Sequence, residues 1–566
     1  MSRLTIETII MLIALCSVSQ AENITVGEDD CDFYRIEAAL DAADPGDVIE
    51  VHSGEYLVNL NITTPSVVLQ GIDTGGGLPF LRAGSSTADI ERSSAGLTEM
   101  VEMSGGTAIA IRADFVTVDG FVITGVTWPK PCGTGEHNDL IGNAGIRVYS
   151  DFNKISNNTF EGNDLTAIGL WNASNNQLLE NTIRDIPFGY GIMFYNSPYN
   201  NIEKNVIIHN DWGIELSKSD SNTIKENEIR ESVNDGIVVS ESNFTMITEN
   251  IISRNGFESD YDGNGKGIRL QGSMGLVANN VISFNRNEGI YVESIFWQYC
   301  SEPPCGVEES YDNLIIGNRI QGNGKDGVRL YRTWRNNIID NNITSNHGNG
   351  VCLVLSNNNT AELNNVTKND HGIYLEQSNY TKVENNTIKE GEKTGIYIGS
   401  TIGALVKNNT LIDNPVGFAL EVFCEKNVLA RNSVTNSTEG VNLSGGSSDN
   451  HLRENRVRSC KTGVVLAGAS RNVIVGNEIA ENLLGLLADV SSSGNSIYGN
   501  DLSNNGEAAR DEGGNKWDDG LRGNYWGPDA CDDADGDGVC DGLRLIPGGK
   551  NADGFPLARA ATLGRA

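Results

Sequence analysis

Along much of this 566-residue chain a Gly is followed by alternating apolar and variable residues, and the variable positions are where chemistry could sit. The second and fourth residues after each Gly are Arg147, Tyr149, Trp171, Met193, Tyr195, Glu215, Arg269, Gln271, Tyr291, Glu293, Arg329, Tyr331, Tyr374, Glu376 and Tyr397. Aromatic rings interleaved with Arg and Glu suit sugars, whose C–H faces lie on rings while their hydroxyls bond to charged groups. The competing reading is strand propensity alone, since Tyr also favours exposed sheet positions. Past Tyr397 the same positions hold Ala419, Asn442, Ser444, Val465, Ala467 and Leu487, so the strip fades toward the C-terminus.

Glycoside hydrolysis needs two carboxylates within about 5 to 10 Å. Glu215 and Glu293 stand three repeats apart, as do Glu293 and Glu376, which is on the order of 14 Å at strand spacing. The strip alone therefore supplies no pair. Asp260, Asp262, Glu302, Glu308 and Glu309, from two longer repeats beside it, are the candidates to complete one. His347 and His371 fall at turn positions of adjacent repeats, out of register, and read as solvated turn histidines.

A second chemistry is written in "DADGDGVCD". Asp533, Asp535 and Asp537, Gly538 for the turn, the carbonyl of Val539, and Asp541 match the first part of a calcium loop. The twelfth position is Arg544, where an EF-hand has Glu. Calcium is the cofactor expected, with a further carboxylate such as Asp529 or Asp532 completing the shell; the alternative is a solvated acidic loop. Two local cysteine pairs, Cys300 with Cys305 and Cys531 with Cys540, are expected as loop-closing disulfides in an oxidising compartment.

The elements that must position these groups follow from the repeat. The Gly register agrees with an independent one on Asn, running from Asn158 through Asn181 and Asn205 to Asn477 and Asn500 in steps mostly of 22 to 24 residues. That spacing predicts fifteen coils. Period-two runs such as Ile373-Tyr374-Leu375-Glu376 are strands with one face buried, and no segment within a coil shows a sustained helical period. Short strands and turns stacking coil upon coil make a parallel β-solenoid. Side-chain amides repeating at that spacing bond to one another and to turn backbone, and Asn tolerates the left-handed backbone of turns. A leucine-rich repeat would need L-x-x-L-x-L spacing, which is missing.

Open solenoid ends are exposed strand edges that need cover. At the front, "RIEAALDAA", Arg35 to Ala43, has helical spacing and is expected to cap the first coil; at the rear, Gly506 to Ala566 loses the period. The first residues, "MSRLTIETIIMLIALCSVSQA", read as a secretory signal cleaved after about Ala21, and no later run is long enough to span a membrane. The organisation expected is a signal peptide over 1–21, a cap and irregular coils over 22–142, regular coils over 143–505, and a C-terminal cap over 506–566. With 41 basic against 75 acidic residues the net charge is -34, which argues against a nucleic-acid partner.

The opening "RIEAALDAADPGDVIEVHSGEYLVNLNITTPSVVLQGID" resembles the N-terminus of NosD-like right-handed β-helix proteins of the carbohydrate-binding and sugar-hydrolase type. The ending "GNYWGPDACDDADGDGVCDGLRLIPGGKNADGFPL" resembles the C-terminal motif of secreted and surface members. The resemblance implies an all-β, right-handed parallel β-helix, and a fold shared by lyases, polygalacturonases, epimerases and nonenzymatic surface proteins does not set the activity. The copper-related role of NosD itself is not carried over, because six His and seven Met are scattered along the chain. The expected function is a secreted, periplasmic or surface protein that binds extracellular polysaccharide or glycoconjugate through the strip. A lyase, hydrolase or epimerase in the same groove, or a structural spacer, are the alternatives.

Overall fold

The computed structural model describes residues 21–28, 30–84, 106–126, 143–257, 259, 262–296, 307–528 and 531–560. The signal segment expected over 1–21 therefore lies almost wholly outside the described residues, as do Cys300 and Cys305. The chain forms two compact units, residues 1–223 and 224–566. Each is a parallel β-solenoid, and about 19 turns are present in total.

One coil shows how the sequence builds the fold. Over the stretch from 370 to 391, three short strands, His371–Glu376, Lys382–Glu384 and Thr387–Lys389, are separated by tight turns. Ile373, Leu375, Val383 and Ile388 point inward and are fully buried. Each strand pairs in parallel with its counterparts on both sides, so that Ile373 lies beside Val351 and Ile396. Each fully buried aliphatic side chain contributes about 1.5–3 kcal/mol, and the coils share that core continuously.

The recurring Gly is required by a close approach. A Cβ at Gly372 would lie 2.3 Å from Ile388 Cγ2 and 2.5 Å from the carbonyl oxygen of Gly395 in the next coil. The Asn column forms the expected ladder: Asn364 donates from Nδ2 and backbone N to Asn386 Oδ1, at 3.0 Å each, and Asn386 does the same to Asn409. Two features differ from expectation. The left-handed backbone belongs to the residue before each ladder Asn, as in Glu180, Leu363 and Asn385, because a single left-handed residue turns the chain so that the next side chain points inward. Moreover, the other two turns of the coil carry ladders as well, for example Asn313-Asn336-Asn359 and Asn285-Asn323-Asn346-Asn369.

Among the described residues the only helix is Ile36–Ala42; it buries Ile36, Ala39 and Leu40 against the first coil, as the spacing of "RIEAALDAA" predicts. In the second unit the coils run past the last expected repeat. Glu507–Asp511 and Gly514–Lys516 continue the parallel pairing, and Asn515 and Asn524 extend two of the ladders. Two buried tryptophans then close the end. Trp517 Nε1 donates to Asp511 Oδ2 at 2.8 Å and Trp526 Nε1 to Asp553 Oδ2 at 2.9 Å, while Asp553 also accepts from the Asn524 backbone N at 2.7 Å. These contacts account for the "GNYW" segment. Among the described residues no helix is long and apolar enough to cross a membrane.

Candidate functional site

In the first unit the strip residues are packed side to side. Trp171 and Tyr195 end the strands Thr166–Trp171 and Thr182–Tyr195 and lie in register, so their rings stack at 4.0 Å with planes 10° apart. Lys218 Nζ lies 5.7 Å from the centre of the Tyr195 ring, and the guanidinium groups of Arg112 and Arg147 lie 4.5 and 5.0 Å from that of Tyr149. A face of each of these rings is thus covered by a neighbour along the solenoid. Glu215 accepts from the hydroxyl of Tyr190, whose acidity is suppressed by burial and then by that carboxylate. Tyr190 occupies the position just before a register Gly.

In the second unit Arg269, Tyr291, Arg329, Cys352, Tyr374 and Tyr397 succeed one another in register on adjacent coils. Arg269 Nε and Gln271 Nε2 both donate to Glu293 Oε1, at 2.9 and 2.7 Å. Arg329 pairs with Asp326 at 3.2 Å, and the Tyr331 ring lies under Arg332. Tyr374 and Tyr397 stack at 4.7 Å, and the Tyr374 hydroxyl donates to Glu376 Oε2 at 3.4 Å. Burial, with Glu376 beside it, pushes the Tyr374 phenol up to about 12.

One strip residue, Cys352 at the second position after Gly350, was passed over, and one column lies outside the two positions read after Gly. Cys352 occupies the strip position between Arg329 and Tyr374; it is buried, and burial pushes its thiol well up. The residue immediately before Gly forms another outward column: Asp235, Lys266, Glu288, Asp326, Asn349 and His371, joined coil to coil through the Gly backbone. Asp235, Lys266, Glu288 and Asp326 in it are buried. Extending the Gly register by one residue would have found them. His371 is therefore not a solvated turn residue. It starts a strand, sits 5.4 and 5.5 Å from the Tyr374 and Tyr397 rings, and its pKa is lowered by burial and by Lys393.

The column also changes the carboxylate question. Glu288 and Asp326 stand on adjacent coils, a single strand spacing apart in the backbone, about 4.8 Å. Asp326 is held rigidly, since its Oδ1 accepts from Asn349 N at 2.7 Å and Nδ2 at 2.9 Å. Of the loop carboxylates, Asp262 pairs with Arg286 at 3.3 Å; Asp260 and Glu302 lie outside the described residues.

In the C-terminal loop the carboxylate oxygens of Asp533, Asp535 and Asp537 come within 4.8 Å of one another. Gly538 has φ +90°, the conformation a calcium loop needs there. Asp541 is not part of that convergence: its Oδ2 accepts from Ala534 N at 3.0 Å. Arg544, at the twelfth position, lies over the Trp526 ring. Cys531 and Cys540 form the expected disulfide, with Cα atoms 5.4 Å apart. Three oxygen donors are a hard-cation set, and they are the only such group of potential ligands among the described residues.

The two units thus define a class: parallel β-solenoids that display register-locked side chains on one sheet. The family model described as "Right handed beta helix region" matches residues 108–266 and 305–434, just over half of the chain, and the protein belongs to that family. The model described as "Periplasmic copper-binding protein (NosD)" matches residues 258–346 and 390–530. No curated protein matches significantly. Among solved structures, the Dettilon tailspike protein is 16% identical, with a TM-score of 0.36, over 57% of this chain and 60% of that one. The DFA-IIIase of Arthrobacter chlorophenolicus A6 is 14% identical, TM-score 0.39, over 57% and 89%. The mannuronan C-5 epimerase A-module of Azotobacter vinelandii is 14% identical, TM-score 0.36, over 78% and 95%. At these scores the likenesses carry no conclusion about activity.

Proposed function

We propose that the protein works outside the cytoplasm and binds extracellular polysaccharide or glycoconjugate through the outward columns of the Gly-led strands. The observation that carries this reading is the mutual fixing of those side chains. Arg269, Gln271 and Glu293 are hydrogen-bonded into one set, and Trp171–Tyr195 and Tyr374–Tyr397 are stacked pairs. Side chains already ordered by the sheet lose little entropy on meeting a ligand. A glycan array tests this: Trp171→Ala with Tyr195→Ala, and separately Tyr374→Ala with Tyr397→Ala, should weaken binding. A protein that binds no glycan refutes it.

A second reading is hydrolysis of the bound glycan, favoured by the buried carboxylates Glu288 and Asp326 on adjacent coils. Their backbone spacing suits the shorter of the two carboxylate separations used by glycosidases. Release of reducing ends, abolished by Glu288→Gln or Asp326→Asn with binding retained, would establish catalysis.

We also propose calcium at Asp533, Asp535 and Asp537. Three converging carboxylates repel one another unless a cation lies between them, and the Val539 carbonyl is the next ligand of such a loop. Chelation should lower the melting temperature, and Asp535→Asn should remove that sensitivity. An unchanged melting temperature refutes the site.

A further inference from the structure

In the first unit the strip has a gap. Arg147, Gly169 and Met193 follow one another in register on three adjacent coils, so a bare glycine stands where its neighbours carry long side chains. The fold does not require a glycine there. A Cβ at Gly169 would meet Thr166 Cγ2 at 3.8 Å and Ala144 Cβ at 3.9 Å, both ordinary van der Waals contacts, and the backbone is not left-handed. The missing side chain leaves a notch of about 10 Å³, bounded by Arg147 and Met193 along the solenoid and by Thr166 and Trp171 along the strand. That volume is close to the roughly 10–15 Å³ that one water-sized group needs.

The notch also contains an unanswered polar atom. Thr166 is 3% exposed, and its Oγ1 has no hydrogen-bond partner among the described residues. Leaving a buried hydroxyl unpaired is unfavourable, and such groups ordinarily find a partner in protein or water. Ala144, Met193 and the Trp171 ring make the rest of the wall largely apolar. Arg147 lies over the Tyr149 ring at 5.0 Å and has further contacts, so the hydrogen bond on offer is assigned to Thr166.

A group that fits must be small, must bring one acceptor for the hydroxyl and must otherwise be apolar. A plain sugar hydroxyl turns its own polar atom toward apolar walls. An acetyl group meets all three conditions, with a methyl for the apolar wall and a carbonyl oxygen for the hydroxyl. Resting on the glycan-binding reading above, we propose that the Gly169 notch is a subsite for the N-acetyl group of a 2-acetamido sugar, its methyl seated over Gly169 against Met193 and its carbonyl oxygen accepting from Thr166 Oγ1. Gly169 is then a specificity-determining residue, because the side chain it lacks makes room for the substituent.

The test is titration calorimetry of the full chain with hexamers of β-1,4-N-acetylglucosamine and of β-1,4-glucose, which differ only at C2. One buried methyl and one hydrogen bond should together make the acetylated hexamer bind about tenfold or more tighter. Gly169→Ala puts a methyl into the notch at ordinary contact distances, so the melting temperature should stay unchanged while the ratio of the two affinities falls to about threefold or less. Thr166→Val keeps the shape and removes the hydroxyl, and should lower that ratio by about twofold to tenfold. If Gly169→Ala melts early, Thr166→Val and the wild-type ratio decide instead. Equal affinity of the wild type for the two hexamers overturns the proposal. An undiminished ratio in a folded Gly169→Ala variant does so too, and would mean that the notch holds only a water. If glycans bind and only the paired ring variants weaken them, by the same factor for both hexamers, the subsite fails while the binding reading stands. If no glycan binds, both fail.

Discussion

Replacing Asn386 by Ala removes one rung of a ladder whose contacts are all defined. Its Nδ2 donates to Ala361 O at 2.9 Å, Glu384 O at 3.0 Å and Asn409 Oδ1 at 3.0 Å, and its Oδ1 accepts from Asn364 N and Nδ2, both at 3.0 Å. Truncation leaves the buried Asn364 N–H without its acceptor and takes donors from two carbonyls. A stranded buried polar group costs about 1–3 kcal/mol. Allowing for relaxation and partial solvation, the expected loss is about 3–5 kcal/mol, a large share of a typical domain's 5–15 kcal/mol. Because repeats are coupled mainly to their neighbours, the loss should be concentrated in the adjoining coils. Hydrogen exchange read by mass spectrometry should show lost protection over residues 360–412 and much less farther along, with urea unfolding giving the magnitude. The control is the neighbouring Asn365→Ala, an exposed side chain whose loss should stay within about 0.5 kcal/mol. A cost below about 1 kcal/mol for Asn386→Ala, or one equal to the control, would refute the claim that the ladder holds the coils together.

Gly372→Ala places a Cβ 2.3 Å from Ile388 Cγ2 and 2.5 Å from a carbonyl oxygen, and should lower stability by about 1–3 kcal/mol or more; a neutral effect in thermal melts would contradict the packing. Leu363 is exposed and holds φ +57°, so Leu363→Asn should stabilise by up to about 1 kcal/mol, and a lower melting temperature would count against a strained turn. Tyr374 keeps its proton in the folded state at pH values where the unfolded phenol, near pH 10, has lost it. The folded state thus binds more protons between pH 10 and about 12, and stability must fall as pH rises through that window. Near-UV absorbance should show late-ionising tyrosines accompanied by that loss, and ordinary ionisation of Tyr374 would disprove the assignment. Cys352 should resist alkylation in the native protein and react once denaturant is added; rapid native labelling would mean it is not buried as described.

The period of the chain carried most of the architecture. Twenty-odd residues with inward Ile, Val and Leu at alternating positions admit only strands stacked coil upon coil, since that pattern buries a column and nothing else satisfies it. The Asn register, the N-terminal helix and the Cys531–Cys540 bridge were legible for similarly local reasons: amide spacing, helical spacing and a short loop. The other two ladders were less visible because Ser, Thr, Gly or Cys interrupt them, as at Ser232, Gly391 and Cys460.

What the strip does with its side chains was decided only in three dimensions. Sequence placed Trp171 beside Tyr195 and Arg269 near Glu293, yet whether rings offer faces or edges depends on how side chains on neighbouring coils settle against each other. The buried column brings Glu288 and Asp326 together although they stand 38 positions apart in the chain. Local spacing determines which way a side chain points, whereas the company it keeps depends on stacking between coils and on the lengths of the insertions. In this protein the residue pattern specifies the solenoid and its outward positions, and the stacking of coils specifies which of those positions meet to form a candidate site.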